Sequence, residues 1–242
     1  MGDPPADHDP GEESGMGDTE SGTETENGKA PRLLRTEAGL ALTDGRLSLM
    51  ADFAPMERRV KQGTIGTELL VRAARLKTPP KGRAPTLLDA TAGLGEDAFL
   101  LAASGFTVTM YERNGQIAAL LSDALERAAD IPGLSGTVSR MALVNGDSVA
   151  AMKTLKTPPD VIYLDPMFPE RKKSALVKKK FQLLQKLEMP CPNEEELLFA
   201  AIAAKPRKIV VKRPTKGPFL AGIRPDYSLS GSSVRYDCLI LT

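Results

Sequence analysis

The stretch Val161-Ile162-Tyr163-Leu164-Asp165-Pro166-Met167-Phe168-Pro169 holds the side chains best placed to do chemistry. Four apolar residues that read as a buried strand run into an acid, a proline and an aromatic ring. The carboxyl end of a strand in a parallel sheet is where α/β folds place their ligands. There the Asp165 carboxylate and a backbone carbonyl near Pro166 can accept hydrogen bonds from the N–H groups of an exocyclic amine on a nucleobase. Such an amine is a poor nucleophile because its lone pair is delocalised into the ring. Accepting its N–H bonds returns electron density to the nitrogen. Proline fixes its own φ and keeps those oxygens aimed. Phe168 can stack on a base extruded from its helix. This is group transfer by positioning and electrostatics, and it needs no strong base. The single histidine of the sequence is His8, far outside any apolar pattern. The bland alternative for the same residues is a surface turn with a buried Phe168.

A second constellation lies upstream. Asp89-Ala90-Thr91-Ala92-Gly93-Leu94-Gly95 stands between the apolar pair Leu87-Leu88 and a helix-forming run. Glycine at such a junction lets the backbone turn sharply and approach a ligand closely. Glu112 follows at the end of the next strand, near the spacing at which an acid grips the ribose hydroxyls in nucleotide-binding α/β folds. Dinucleotide sites use G-x-G-x-x-G, whereas only Gly93-Leu94-Gly95 is present here. That pattern favours a cofactor without phosphates, such as S-adenosylmethionine. Asp89, Gly93, Gly95 and Glu112 are therefore candidate cofactor residues. Asp147, after a third strand, can accept from the adenine amine of such a cofactor, or cap the helix that starts near Ser148; the two roles are compatible.

Alternating elements position these groups. Strands are expected at 87–88, 106–111, 141–144, 161–164, 209–211 and within 234–241. Helices are expected at 96–104, 115–129, 148–155, 174–187 and 194–204. Strands alternating with helices imply a parallel sheet covered on both faces. Ahead of them, Leu40 and Leu42, then Leu47 and Leu49, flank Asp44-Gly45, a hairpin signal. A helix is expected at 64–76, and Pro79-Pro80 and Pro85 mark a linker. The expected organisation is an acidic disordered tail over 1–30, a small β-hairpin/helix subdomain over 31–80, and the α/β domain over 81–242.

Charge separates the tail from the body. Residues 1–30 hold nine acids and one base, so the body has 31 basic and 22 acidic residues. The tail has too few large apolar residues to offset its ordering entropy. A basic body suits a polyanion such as RNA. Arg171, Lys172, Lys173, Lys178, Lys179 and Lys180 follow the Asp165 loop closely and are candidate contacts to an RNA backbone. Their alternative is a solvated helix face. Lys212-Arg213-Pro214 is expected to extend the same rim. Cys191 and Cys238 make no metal-binding spacing, and two inert thiols, no metal, no membrane span and a cytoplasmic location are expected.

The Asp165 loop resembles the Asp/Asn-Pro-Pro-Tyr/Phe signature of methyltransferases that act on exocyclic amines of nucleobases. D-A-T-A-G-L-G-E-D-A-F (89–99), Y-E-R-N (111–114), Y-L-D-P-M-F-P (163–169), K-S-A-L-V-K-K (173–179) and V-V-K-R-P (210–214) together resemble the ribosomal RNA small subunit methyltransferase J family. The resemblance runs in one order over about residues 40–240. It implies a class I S-adenosylmethionine-dependent methyltransferase: a Rossmann-like α/β fold with a seven-stranded, mostly parallel sheet and a small N-terminal β appendage. It implies N2-methylation of a guanosine in 16S rRNA, with the rRNA or the small ribosomal subunit as partner. It also implies cofactor contacts at Glu96, Asp97, Glu112, Arg113, Asp147, Ser148 and Asp165. Read from the residues alone, adenine N6 methylation in RNA or DNA, a non-catalytic RNA-binding protein of the same fold, and a small-molecule methyltransferase remain open.

Overall fold

The structure is a computed structural model that describes residues 30–60, 63–166, 183, 184, 187 and 193–241. Seven strands form one sheet in the order β6-β5-β4-β7-β8-β10-β9. They are β4 (Thr86–Asp89), β5 (Thr107–Glu112), β6 (Met141–Asn145), β7 (Val161–Leu164), β8 (Lys208–Pro214), β9 (Tyr227–Ser230) and β10 (Val234–Ile240). Strands β4 to β8 pair in parallel, and β10 pairs antiparallel with both β8 and β9. Helices α2 (Glu96–Ala103), α3 (Gly115–Ala129), α4 (Pro132–Val138), α5 (Ser148–Thr154) and α6 (Glu194–Ala203) connect them. The order reverses beside β4: the chain steps outward to β5 and β6, then returns to β7 on the other side. Crevices at such reversals hold the ligands of open α/β sheets.

Alternation along the strands sends side chains to two cores. Leu87, Val108, Val161, Tyr163, Val210 and Tyr236 join a cluster with α2 and α3. Leu88, Ile162, Leu164, Ile209 and Val211 join a second cluster with α6. A central strand buried on both faces reads as a continuous apolar run, which is why Val161–Leu164 shows no period in the sequence.

The N-terminal appendage is a three-stranded antiparallel sheet of β1 (Arg32–Thr36), β2 (Gly39–Thr43) and β3 (Ser48–Leu49). The expected turn at Asp44-Gly45 is present, closed by Asp44 Oδ1 accepting from the N–H groups of Arg46 and Leu47. Leu42, Leu49 and Phe53 sink into the α2/α3 core, where the Phe53 ring stacks on Phe99 at 4.9 Å. Asp123 of α3 secures the sheet by accepting from Leu40 N–H and pairing with Arg35 and Arg127.

The reading over 64–76 resolves into two pieces. A 3-10 turn, Ile65–Thr67, precedes α1 (Leu69–Ala74), with Glu68 extended between them. Gly66 and two threonines weaken a continuous helix there. Strand β8 runs on through Lys212, Arg213 and Pro214, because β10 pairs with it along its full length. Of the helix expected at 174–187, only Leu183, Leu184 and Leu187 are among the described residues, and Leu183 is buried in the α2/α3 core.

Candidate active site

The loop between β4 and α2 turns through two left-handed glycines, Gly93 at φ +53° and Gly95 at φ +78°. Gly95 is required twice over. It caps α2 in a conformation that L side chains rarely adopt, and a Cβ there would lie 2.7 Å from a Leu121 methyl and 3.2 Å from the Phe53 ring. Gly93 differs: a Cβ there would meet nothing within 4 Å, so its outer side faces open space. Its N–H donates to Glu112 Oε2 at 3.0 Å, and the N–H of Asn114 donates to Oε1 at 2.8 Å. Glu112, at the end of β5, is thus locked against the glycine loop by backbone. Burial pushes its carboxyl up, and the bonds from Asn114 and Gly93 act against that. Each oxygen keeps lone-pair capacity for a further donor. A paired hydroxyl fits this arrangement, as the ribose of S-adenosylmethionine would provide.

Asp147 caps α5, with Oδ1 accepting from Val149 N–H at 2.7 Å and Ala150 N–H at 3.2 Å. Its capping role is therefore filled, and its exposed carboxylate still faces solvent. Ser148 is buried at the first turn of α5, and Glu96 and Arg113 are exposed.

At the reversal between β4 and β7 the strands deliver a compact charged cluster. Asp89, 1% exposed, ends β4 and accepts from Thr91 N–H at 3.0 Å. Its carboxyl is pushed up to about 8, mainly by burial and further by Asp97 and Asp165. Asp165 follows β7 directly, and its N–H donates to Thr91 Oγ1 at 2.7 Å. Pro166 is buried behind it. Asp97, in the first turn of α2, accepts the Tyr163 hydroxyl at 2.6 Å. Lys212 joins the two carboxylates: its Nζ donates to Asp97 Oδ2 at 2.7 Å and to Asp165 Oδ2 at 2.9 Å. Burial lowers the lysine, but Asp165 and Asp97 outweigh that and hold it well above its ordinary value. Tyr163 is pushed well above the usual phenol range by burial, Asp97 and Asp165, so it stays a donor.

The structure thus brings Asp89, Asp97 and Asp165 together and sets Glu112 beside Gly93. Phe168, Arg171, Lys172, Lys173, Lys178, Lys179 and Lys180 lie outside the described residues. Two expected rim residues sit elsewhere. Lys212 lies between Asp97 and Asp165, and Arg213 is buried, donating to the Pro218 carbonyl and to Glu194. Alternation explains both, since Lys212 shares the α2 face with Val210 and Arg213 takes the opposite one. The sequence signal for Lys212 was a charge two residues beyond a fully apolar strand. Thr91 and Tyr163 also escaped notice as polar parts of the cluster.

The family described as "Putative SAM-dependent methyltransferase" matches residues 20–240. A ribosomal RNA small subunit methyltransferase J from Rhodopseudomonas palustris is 41% identical over 201 residues, covering 81% of this chain and 90% of that protein. Its counterpart in Pseudomonas fluorescens Pf0-1 is 48% identical over 158 residues, 65% of this chain. That match spans 61% of the Pseudomonas protein, about three-fifths of its length. A crystal structure of a SAM-dependent methyltransferase from Neisseria gonorrhoeae superimposes with a TM-score of 0.71 at 32% identity, over 88% of this chain and 84% of that one. The seven-stranded sheet, the glycine loop and these matches agree on a class I methyltransferase fold with S-adenosylmethionine as cofactor, and the chain belongs to the ribosomal RNA small subunit methyltransferase J family.

Proposed function

We propose that this protein methylates the exocyclic N2 amine of a guanosine in 16S rRNA. The observation that carries this reading is the anchoring of Asp165 at the strand reversal, beside the cradle formed by Gly93 and Glu112. The names of its relatives support the rRNA as substrate.

Bound in that cradle, S-adenosylmethionine supplies an electrophilic methyl group on a sulfonium sulfur. Gly93, Gly95 and Glu112 would hold the ribose of that cofactor and Asp147 and Ser148 its adenine, with Asp89, Asp97, Glu96 and Arg113 bordering the same cradle. Asp165 accepts N–H bonds from the guanine amine and draws its lone pair out of the ring. The proton lost once the new N–C bond forms passes to that carboxylate or to water, since a ring-bound ammonium is a strong acid. Pro166 keeps the carboxylate and nearby carbonyl in register, and Phe168 stacks on the base. Arg171, Lys172, Lys173, Lys178, Lys179 and Lys180 hold the RNA backbone by charge. A cytoplasmic location follows from this substrate. No helix among the described residues is long and apolar enough to cross a membrane.

The test is transfer of labelled methyl to small subunits and rRNA lacking the modification, followed by nucleoside mass spectrometry. N2-methylguanosine at one position is the expected product. N6-methyladenosine would move the target to adenine, and no transfer with cofactor still bound would overturn the enzymatic reading.

A further inference from the structure

Three aspartates from three elements gather around the Lys212 ammonium at the mouth of the crevice. Asp89 comes from β4, Asp97 from α2 and Asp165 from the loop after β7. Lys212 touches the last two through single oxygens of each. Like charges this close repel strongly where water is scarce, and a shared cation offsets the repulsion. The geometry points to Lys212 as the positioning residue for Asp165, fixing the acceptor carboxylate against Asp97 so that it meets the amine ionised and in one orientation. This rests on the methyltransferase reading above.

The way Lys212 is built supports such a role. Its backbone lies inside the sheet, paired with Tyr236 on one side, and its neighbour Val211 pairs with Leu164 on the other. Leu164 is the residue immediately before Asp165. The donor is thus carried within β8, and the acceptor is the residue directly after the neighbouring strand β7, whose register with β8 is fixed. Among the described residues, the Thr91 hydroxyl holds the Asp165 N–H and Lys212 holds its carboxylate. Asp97 is held in turn by the Tyr163 hydroxyl. Among the described residues, the other titratable groups near this cluster are Tyr236 of β10 and Glu68 at the start of α1, while Arg213 of β8 acts on it from the opposite face of the sheet. A plain structural ion pair would need only one carboxylate. Here one lysine joins the proposed acceptor residue to the first turn of the cofactor-side helix.

The experiment compares Lys212→Met and Lys212→Arg with the wild type. Single-turnover methyl transfer is measured from pH 5 to 9 at saturating cofactor, with cofactor affinity measured by calorimetry. The methionine variant is expected to lose about 10²-fold in rate at neutral pH, with cofactor affinity changed by less than about threefold. Its acidic limb should move up by about one pH unit or more, because loss of an adjacent cation raises a carboxylate pKa and activity then fails as pH falls through the higher value. The arginine variant should restore the wild-type pH profile and part of the rate. An unshifted profile would overturn the proposal, as would a rate loss matched by an equal loss of cofactor affinity.

A second measurement does not depend on the substrate. Carbon-13 carboxyl NMR of the protein alone, with the Asp165 signal assigned by its absence in Asp165→Asn, should show Asp165 titrating higher in Lys212→Met than in wild type. If the wild type methylates no rRNA but this shift appears, the substrate reading fails and the positioning role stands. No shift overturns the positioning role whatever the substrate. If the methionine variant does not fold, Lys212→Gln takes its place: a raised acidic limb and a raised Asp165 titration support the role, and a profile and titration identical to wild type refute it.

Discussion

Two aspartates bracket β7, Asp160 just before it and Asp165 just after, and the protein treats them in opposite ways. Asp160, at the amino end of the sheet, is 3% exposed and saturated. It accepts from both terminal nitrogens of Arg83, from Thr86 N–H at 2.8 Å and from the Thr86 hydroxyl, with Arg207 nearby. Burial pushes its carboxyl up, but the Arg83 and Thr86 bonds together carry it below the ordinary value. At the carboxyl end, Asp165 is one-third exposed and shares Lys212 with Asp97. Asp89 beside it is buried, accepts from Thr91 N–H, and has its carboxyl pushed up to about 8, mainly by burial. A saturated carboxylate ties the chain together, while acids gathered at the carboxyl ends of the strands, with perturbed charge, are where α/β folds meet their ligands.

The largest expected effect follows from exchanging those roles. Asp165→Ala should lower the single-turnover rate of methyl transfer by at least about 10³-fold, as loss of a group acting on developing charge does. Its melting temperature should stay within a few degrees of wild type. Near-normal turnover would remove Asp165 from the chemistry. Asp160→Ala should do the reverse. Removing the carboxylate takes the acceptor from the Thr86 N–H and hydroxyl, a loss of about 1–3 kcal/mol that urea denaturation would register, while cofactor affinity of the folded protein stays unchanged. Because the folded pKa of Asp160 is depressed, its stabilisation is present above the unfolded carboxyl value and is lost as pH falls through the folded one. The stability gap between wild type and Asp160→Ala should therefore close in acid. A gap that persists unchanged at low pH would contradict the saturated picture.

The same contrast explains what could be read from the sequence. Strong local signals were legible: α3 appears over the expected residues 115–129, capped by Asn114 accepting from the N–H groups of Gln116 and Ile117. The places of the β4 loop, Glu112 and Asp165 at the carboxyl ends of strands were also legible, because a glycine turn or an acid follows an apolar run there. What escaped depends on pairing across distance. Strand β9, Tyr-Ser-Leu-Ser, is a short edge strand with mostly exposed residues and is defined only by β10 beside it. Helix α4 begins at Pro132 and contains two glycines, so propensity argues against it, yet Leu134 and Val138 bury into the core. Lys212 looked like rim charge because nothing local shows which face of a doubly buried strand a residue takes.

Glu112 tests the carboxyl end more gently. Its two oxygens each accept one backbone N–H, so the carboxylate is aimed before any ligand arrives. Glu112→Gln keeps the size but replaces one acceptor with a donor and removes the charge. Loss of a charged acceptor for a pair of hydroxyls should then weaken cofactor binding by about 10- to 100-fold. An unchanged calorimetric dissociation constant would count against the ribose contact.

The smallest effect concerns Asp89 and needs no substrate at all. Its carboxyl is raised from an ordinary value of 3.8 to about 8, mainly by burial. The folded state therefore binds a proton that the unfolded chain releases above about pH 4. For a raised pKa, the contribution to stability is fully present below the unfolded value and declines as pH rises through the folded one. Between pH 6 and 7.5 wild-type stability should fall relative to Asp89→Asn by up to about 2 kcal/mol, the limit set by one proton over that interval. The amide is a neutral stand-in that keeps an acceptor for Thr91 N–H, so it isolates the charge. Parallel urea midpoints for the two proteins across that range would mean that Asp89 is already ionised. The carboxyl end would then be compensated as fully as the amino end, and the distinction between Asp160 and its counterparts would rest on geometry alone.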